Sequence, residues 1–197
     1  FPDIRFRLSS LEPNEVGDDL LDLMTVRPNF MPHLHIPLQS GDDAILRDMN
    51  RRYSAADFTS LVERILARIP HAAIGADVLV GFPGETETAF AATRALLARL
   101  PVTYLHVFPY SRRPGTMAAG MGGQIPVQEK DRRVAELRRL DQEKRAEFHR
   151  RQLGTKQRVL AENKKNRFRL MRGFSENYIP VLFPARDQDC NTVVDVR

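Results

Sequence analysis

The chain has 197 residues, 42% hydrophobic and 28% charged, which is enough for one large or two small domains with a real core. No apolar run approaches the length of a membrane span, no stretch reads as a secretory signal, and Cys190 is the one cysteine, so a disulfide framework and a multi-cysteine metal site within these residues are excluded. The net charge of +5 is uneven: residues 129–172 hold 16 Lys or Arg against 7 Asp or Glu, a local +9 that leaves about −4 elsewhere and suits a polyanionic partner or a solvated basic helix face.

In chain order, "IRFRL" (4–8) reads as a strand, and Val16, Leu20, Leu23 and Met24 mark a helix over 14–24. "HLHIPL" (33–38) is a second strand, followed by a short helix over 42–49 with Ile45, Leu46 and Met49 inward. Phe58, Leu61, Val62, Ile65, Leu66 and Ile69 form a one-face stripe of period 3.6. Ser54 with Asp57 opens that helix as a capping box, and Pro70 stops it. "IGADVLV" (74–80) is a third strand, a helix runs from Thr86 to Leu100, and "YLHVF" (104–108) is a fourth strand. Strands alternating with helices predict a parallel sheet, either open and doubly wound or a barrel. Ligands gather at the C-terminal strand ends in both, and the loops expected there, "SSLEP", "QSGDD", "GFPGET" and "PYSRRPGT", are all rich in Gly, Pro, Ser and charge.

Residues 117–126 read as a flexible stretch, and a charged helix is expected over 127–153 with Val134, Leu137, Leu140 and Phe148 inward. Past Gly154 the pattern changes to short β-like pieces, "QRVLAE" (157–162), "RFRLM" (167–171), "YIPVLF" (178–183) and "NTVVDV" (191–196), as in a small OB-type barrel. The expected organisation is α/β, with a partial barrel over 1–126, a basic connecting helix over 127–153 and a small all-β domain over 154–197.

Several residues carry possible chemistry. Asp77 lies within an apolar strand, where an unpaired carboxylate is costly, so an arginine or a ligand hydroxyl is its expected partner. Gln39 ends its strand and offers two donors and an acceptor. Arg51 could clamp a carboxylate, with Arg52 competing, and Glu12 could accept from an amine or hydroxyl. His33 and His35 share a strand face, but no third ligand is at hand, and packing with satisfied polar tips is the favoured reading, so no metal site is expected. Gly81 and Gly84 permit close approach to a flat ligand. Arg112 and Arg113 could meet phosphate.

Together, "RFRLSSLEP" (5–13), "HLHIPLQSGDDAILRDMNRRY" (33–53), "ADVLVGFPGETETAF" (76–90) and "HVFPYSRRPGTMAA" (106–119) resemble the radical-SAM tRNA methylthiotransferases. "LAENKKNRFRLMRGFSENYIPVLF" (160–183) resembles the small RNA-binding TRAM barrel of that family. The resemblance implies that Gln39 and Asp77 hold the ribose hydroxyls of S-adenosylmethionine and Arg51 its methionine carboxylate. Glu12 would hold another polar group, and the loop with Gly81 and Gly84 the adenine, with Ser10 in the loop that carries Glu12. It implies tRNA as partner, with Arg112, Arg113, Lys164, Lys165, Arg167 and Arg169 facing it, together with a reductant, a sulfur donor and a cytoplasmic location. "SSLEP" and "HVFPYSRRPGT" most resemble the branch acting on threonylcarbamoyladenosine at position 37 of tRNA; other branches act on isopentenyladenosine in tRNA or on an aspartate of a ribosomal protein.

The six cysteines with which this family holds two 4Fe-4S clusters are absent, so the resemblance implies a C-terminal portion, inactive alone, of an enzyme that methylthiolates adenosine C2. Two other readings remain open: an RNA-binding module without catalysis, and an ordinary βα-barrel enzyme using Glu12 and Asp77 as acid and base.

Overall fold

The computed structural model describes residues 4–197, with the backbone alone at positions 163 and 164. Its first half alternates helix and strand: a 3₁₀ turn Pro13–Glu15, α1 Asp18–Val26, β1 His33–His35, α2 Asp43–Asp48, α3 Ala55–Arg68, β2 Ala73–Val80, α4 Glu87–Arg99 and β3 Tyr104–Pro109. The three strands form a parallel sheet in the order β1-β2-β3, with Leu34 beside Ile74 and Ala76 beside Leu105. Parallel neighbours need a crossover between them, which α2 and α3, then α4, provide.

Strand alternation divides the sheet into two faces. Leu34, Ile36, Ile74, Ala76, Val78 and Val80 are fully buried on the helix side, against Phe58, Leu61, Val62 and Ile65 of α3 and Phe90 and Leu97 of α4. The capping box at Ser54 forms as the sequence predicts: Ser54 Oγ accepts from the Asp57 amide, and Asp57 Oδ2 accepts from the Ser54 amide.

Residues 4–8, expected as a strand, make one isolated parallel bridge, Phe6 to Phe30. The Phe6 amide donates to Asn29 O and its carbonyl accepts from Met31, while Ile4 and Phe6 stay partly exposed. β1 also falls short of the expected 33–38. Pro32 and Pro37 bracket it, and a proline has no N–H to lend a ladder. Pairing resumes beyond Pro37 through the bridge of Gln39 to Val78. The helix expected over 14–24 splits at Val16 and Gly17 into the 3₁₀ turn and α1.

After the short α5, Met117–Gly120, comes the 26-residue α6, Val127–Gln152. It lies along β3 and the loops rather than apart from them. Val134 and Leu137 join the main core, Lys144 Nζ donates to Leu100 O at 2.7 Å, and Asp141 Oδ1 accepts from the Leu105 amide at 2.7 Å. That last bond satisfies an amide on the outer edge of β3, where unpaired groups are a liability.

The chain then turns at Gly154 (φ 77°) into β4 Gln157–Lys165, β5 Met171–Ser175, β6 Pro180–Phe183, a 3₁₀ turn Asp187–Asp189 and β7 Val193–Val196. These strands form an antiparallel sheet in the order β6-β5-β4-β7 over a small core of Val159, Ala161, Met171 and Phe183. The strand expected at 167–171 is instead the tip of the β4–β5 hairpin. Asn166 Oδ1 accepts from the amides of Phe168 and Leu170, and Arg169 takes φ 61°. An asparagine that binds its own backbone favours a turn over a ladder.

Candidate ligand-binding face of the parallel sheet

The sheet face opposite the helices carries His33 and His35 from β1, Gly75 and Asp77 from β2, and Tyr104 and His106 from β3. Gly75 pairs with Tyr104 and Asp77 with His106 in register. Gly75 matters because a Cβ there would run into the Tyr104 ring. Without one, Tyr104 lies across β2 and its hydroxyl bonds His33 Nε2 at 2.8 Å. Burial pushes the Tyr104 phenol up to about 12 even with Arg7 and Arg145 nearby, so it stays a neutral hydroxyl. His33 is fully buried, and burial together with Arg7 takes its imidazole down to about 4.

Asp77 Oδ1 lies 2.8 Å from His35 Nε2 and 3.3 Å from His106 Nδ1. Burial opposes its ionisation, but the two histidines outweigh burial and hold the carboxyl below its ordinary range. The expected arginine or ligand hydroxyl is therefore replaced by two imidazoles. The expectation that His35 lacks further ligating neighbours also changes, because β2 and β3 bring it Asp77 and His106. The sequence does not mark His106 within "YLHVF", since a single histidine in an apolar strand gives no signal until its cross-strand partner is known.

Above this face is a cavity of about 430 Å³ lined by Arg7, Ser10, Tyr104, Arg145, Phe174 and Tyr178 among others. The Arg7 guanidinium sits 3.7 Å above the Tyr178 ring, Phe174 stacks on Tyr178 at 4.6 Å, and Arg145 lies 4.8 Å from the Tyr104 ring. Aromatic rings interleaved with guanidinium groups suit a flat or anionic ligand.

At the C-terminal rim, Arg51 donates to Glu12 Oε1 at 2.6 Å, while its buried Nε has no acceptor. Gln39 and Ser10 both adopt positive φ, 64° and 60°, and the Gln39 amide donates to Asp77 O at 2.8 Å. The fold thus joins Glu12 to Arg51 and Gln39 to Asp77, and it sets Ser10 in the cavity wall with His35. Among the described residues no hydrogen bond links the two pairs.

The glycine loop turns a different way from the one expected. Gly81 has φ 74°, and a Cβ there would strike the Lys130 stem of α6, so its close neighbour is a helix and not a flat ligand. Gly84 (φ 85°) faces open space and donates its amide to Gly123 O. Glu85, almost wholly buried, accepts from the Gly81 amide at 2.6 Å and from Arg133 at 2.5 Å, which closes the loop and pins α6.

The basic surface is also narrower than the local +9 suggests. On α6, Arg132 pairs with Glu87, Glu129 and Glu136, Arg133 with Glu85, Arg145 with Asp141 and Arg151 with Glu147. Lys130 and Lys144 donate to carbonyls. Among the described residues, Arg138, Arg139 and Arg150 are the α6 cations left without an acidic or carbonyl partner. Arg112 donates to Ala119 O, Lys165 pairs with Asp187 at 2.6 Å, and Arg113 is exposed. Arg167 stacks over the exposed Phe168, and it stands with Arg169 at the hairpin tip. The side chain of Lys164 lies outside the described residues.

Residues 2–97 match the family profile described as Radical SAM superfamily. The chain is 48% identical over 136 residues to a tRNA-2-methylthio-N(6)-dimethylallyladenosine synthase of Mycolicibacterium paratuberculosis, covering 68% of this chain and 26% of that protein. It is 42% identical over 164 residues to the synthase of the same name from Corynebacterium jeikeium, covering 82% and 32%. The chain thus spans about a fifth to a third of the length of the relatives it matches. Among solved structures, the Escherichia coli coproporphyrinogen III oxidase HemN, described as a radical SAM enzyme, superposes with a TM-score of 0.60 at 22% identity, over 73% of this chain and 33% of that one. That likeness concerns the fold alone.

Proposed function

We propose that this chain is the S-adenosylmethionine-holding and RNA-facing portion of a tRNA methylthiotransferase. The observation that carries the reading is the identity of 42–48% to tRNA methylthiolating synthases over 136–164 residues. The rim suits the cofactor. Arg51 is oriented by Glu12 and keeps a buried Nε without an acceptor, which a methionine carboxylate supplies. Gln39, at the C-terminal end of its strand, offers its side-chain amide to a ribose hydroxyl, whereas the Asp77 carboxylate is taken up by His35 and His106. When bound, the cofactor supplies the radical chemistry; the residues named here bind and orient it. The iron–sulfur clusters do not fit this chain, because a cluster needs several thiolates and Cys190 is its one cysteine, in the turn before β7. Their ligands belong to other parts of the enzyme.

The antiparallel sheet serves as a TRAM-like RNA-binding domain, with Arg167, Phe168 and Arg169 presented at a hairpin tip. A tRNA substrate implies a cytoplasmic location, a reductant and a sulfur donor. For the modified nucleoside, the relatives' names favour dimethylallyladenosine over threonylcarbamoyladenosine. One observation favours the second: the cavity wall contains Arg7 and Arg145, which suit a carboxylate and not an apolar dimethylallyl group.

The test uses the full-length enzyme, reconstituted with iron, sulfide, reductant and S-adenosylmethionine. It is given tRNA bearing either side chain, and the nucleosides are resolved by mass spectrometry. Methylthiolation of one of the two is expected, with an Arg51→Ala variant binding S-adenosylmethionine at least about tenfold more weakly. Absence of both products from a cluster-loaded enzyme overturns the proposal.

A further inference from the structure

We propose that His35, Asp77 and His106 form a binding site for a divalent transition-metal ion of the zinc type, distinct from any cluster held by cysteines. Three observations converge on it. Asp77 and His106 are register partners across β2 and β3, and His35 stands on the same face one strand over, so three rigid strands present the ligands rather than a loop. One ligand atom from each residue lies within 4.8 Å of the others, a spacing that an ion at its centre needs little movement to close. The side chains are graded in depth, with fractional exposures of 11% for His35, 21% for Asp77 and 47% for His106, so the innermost ligand is fixed and the outermost gives a path from the cavity.

The donor set decides the class of ion. Two imidazoles and one carboxylate suit zinc, cobalt, nickel or ferrous iron, whereas magnesium and calcium prefer oxygen alone. Three protein ligands leave positions open on the cavity side for water or an anionic ligand. In the ion-free arrangement His35 Nε2 and His106 Nδ1 lie 2.8 Å and 3.3 Å from the one carboxylate oxygen. An ion takes the lone pair of each of these two nitrogens, so each imidazole carries its N–H on the other ring nitrogen when the ion is bound. The triad contributes one negative charge, and a divalent ion leaves the site with net positive charge, which an anion on the Arg7 and Arg145 side of the cavity can neutralise.

The test is a cobalt(II) and zinc(II) titration of the full-length protein, without tRNA or S-adenosylmethionine, so that its outcome is independent of the methylthiotransfer reading. Expected is a cobalt equivalent with visible d–d absorption but no thiolate charge-transfer band, displaced by zinc. That equivalent should be lost, or weakened by at least about tenfold, in His106→Ala. His106 is half exposed, so this variant should keep the wild-type circular dichroism and melting temperature, which are measured alongside. Asp77→Asn should weaken binding as well. An identical isotherm for wild type and a folded His106→Ala, or no nitrogen- and oxygen-ligated equivalent at about millimolar metal, overturns the proposal.

Discussion

His33 shows how a single side chain can set a pH response. Its ring is buried against Tyr104, and burial with the nearby Arg7 lowers its pKa from 6.5 to about 4. The folded state therefore binds this proton less well than the unfolded chain does. Stability is fully present above pH 6.5, falls as the pH drops toward 4, and levels off below that, for a loss of about 3 kcal/mol at the acid end. Melting temperatures measured across pH 4 to 7 should fall less steeply for His33→Gln than for wild type; parallel curves would show that His33 does not supply the slope. Asp77 acts in a different window. Its carboxyl is held below the ordinary range, so its contribution is present at neutral pH and is lost as the pH falls through that lower value. The acidic character of Asp77 was legible in the sequence, but its partners were not, because they come from two other strands.

At the scale of the element, α6 is a brace most of whose cations are spent on the protein itself. Burial raises the Glu85 carboxyl above its usual range even with the Gly81 amide and Arg133 as donors, so its ionised form depends on the helix being in place. Arg133→Met should remove about 3–5 kcal/mol by leaving a buried carboxylate without its cation, and Glu85→Leu in the same chain should restore part of it. Chemical denaturation of the single and double variants measures both, and equal loss in the two would refute the coupling. Gly81→Ala tests the same contact from the loop. It adds a Cβ against the Lys130 stem at a positive φ, and should cost about 1–3 kcal/mol. Lys130→Ala should recover the steric share and leave the backbone share. The amphipathic stripe at Val134 and Leu137 was readable from the sequence. The role of the charges was not, since a basic run looks the same whether its partners are phosphates or the protein's own carboxylates.

The whole molecule is held by a seam between the antiparallel sheet and the open face of the parallel one. Tyr178, at φ 64° in the β5–β6 turn, carries Arg7 on its ring, meets His33 edge-on at 5.2 Å and stacks on Phe174. Arg5 reaches Glu176 at 3.4 Å, and Asn177 donates to Gln152 of α6. Tyr178→Ala should cost about 1–2 kcal/mol and speed amide hydrogen exchange in the β5–β6 turn, with β4 and β7 little changed. Exchange unaltered at that turn would mean that the seam lies elsewhere.

The sequence by itself determined the βα alternation, the capping box at Ser54, the stripe of α3, the rim position of the polar loops and the resemblance that led to the radical-SAM reading. All of these are local signals, written in residue spacing or in contiguous motifs. The tertiary structure decided what the spacing could not reach. It reduced residues 4–8 to a single bridge and shortened β1 between its two prolines. It turned the glycine loop toward α6, gave Asp77 two histidines as partners, and closed the cavity with Tyr178. Each of these depends on residues far apart in the chain meeting in register, and register between strands is set by packing across the whole sheet and not by any one segment.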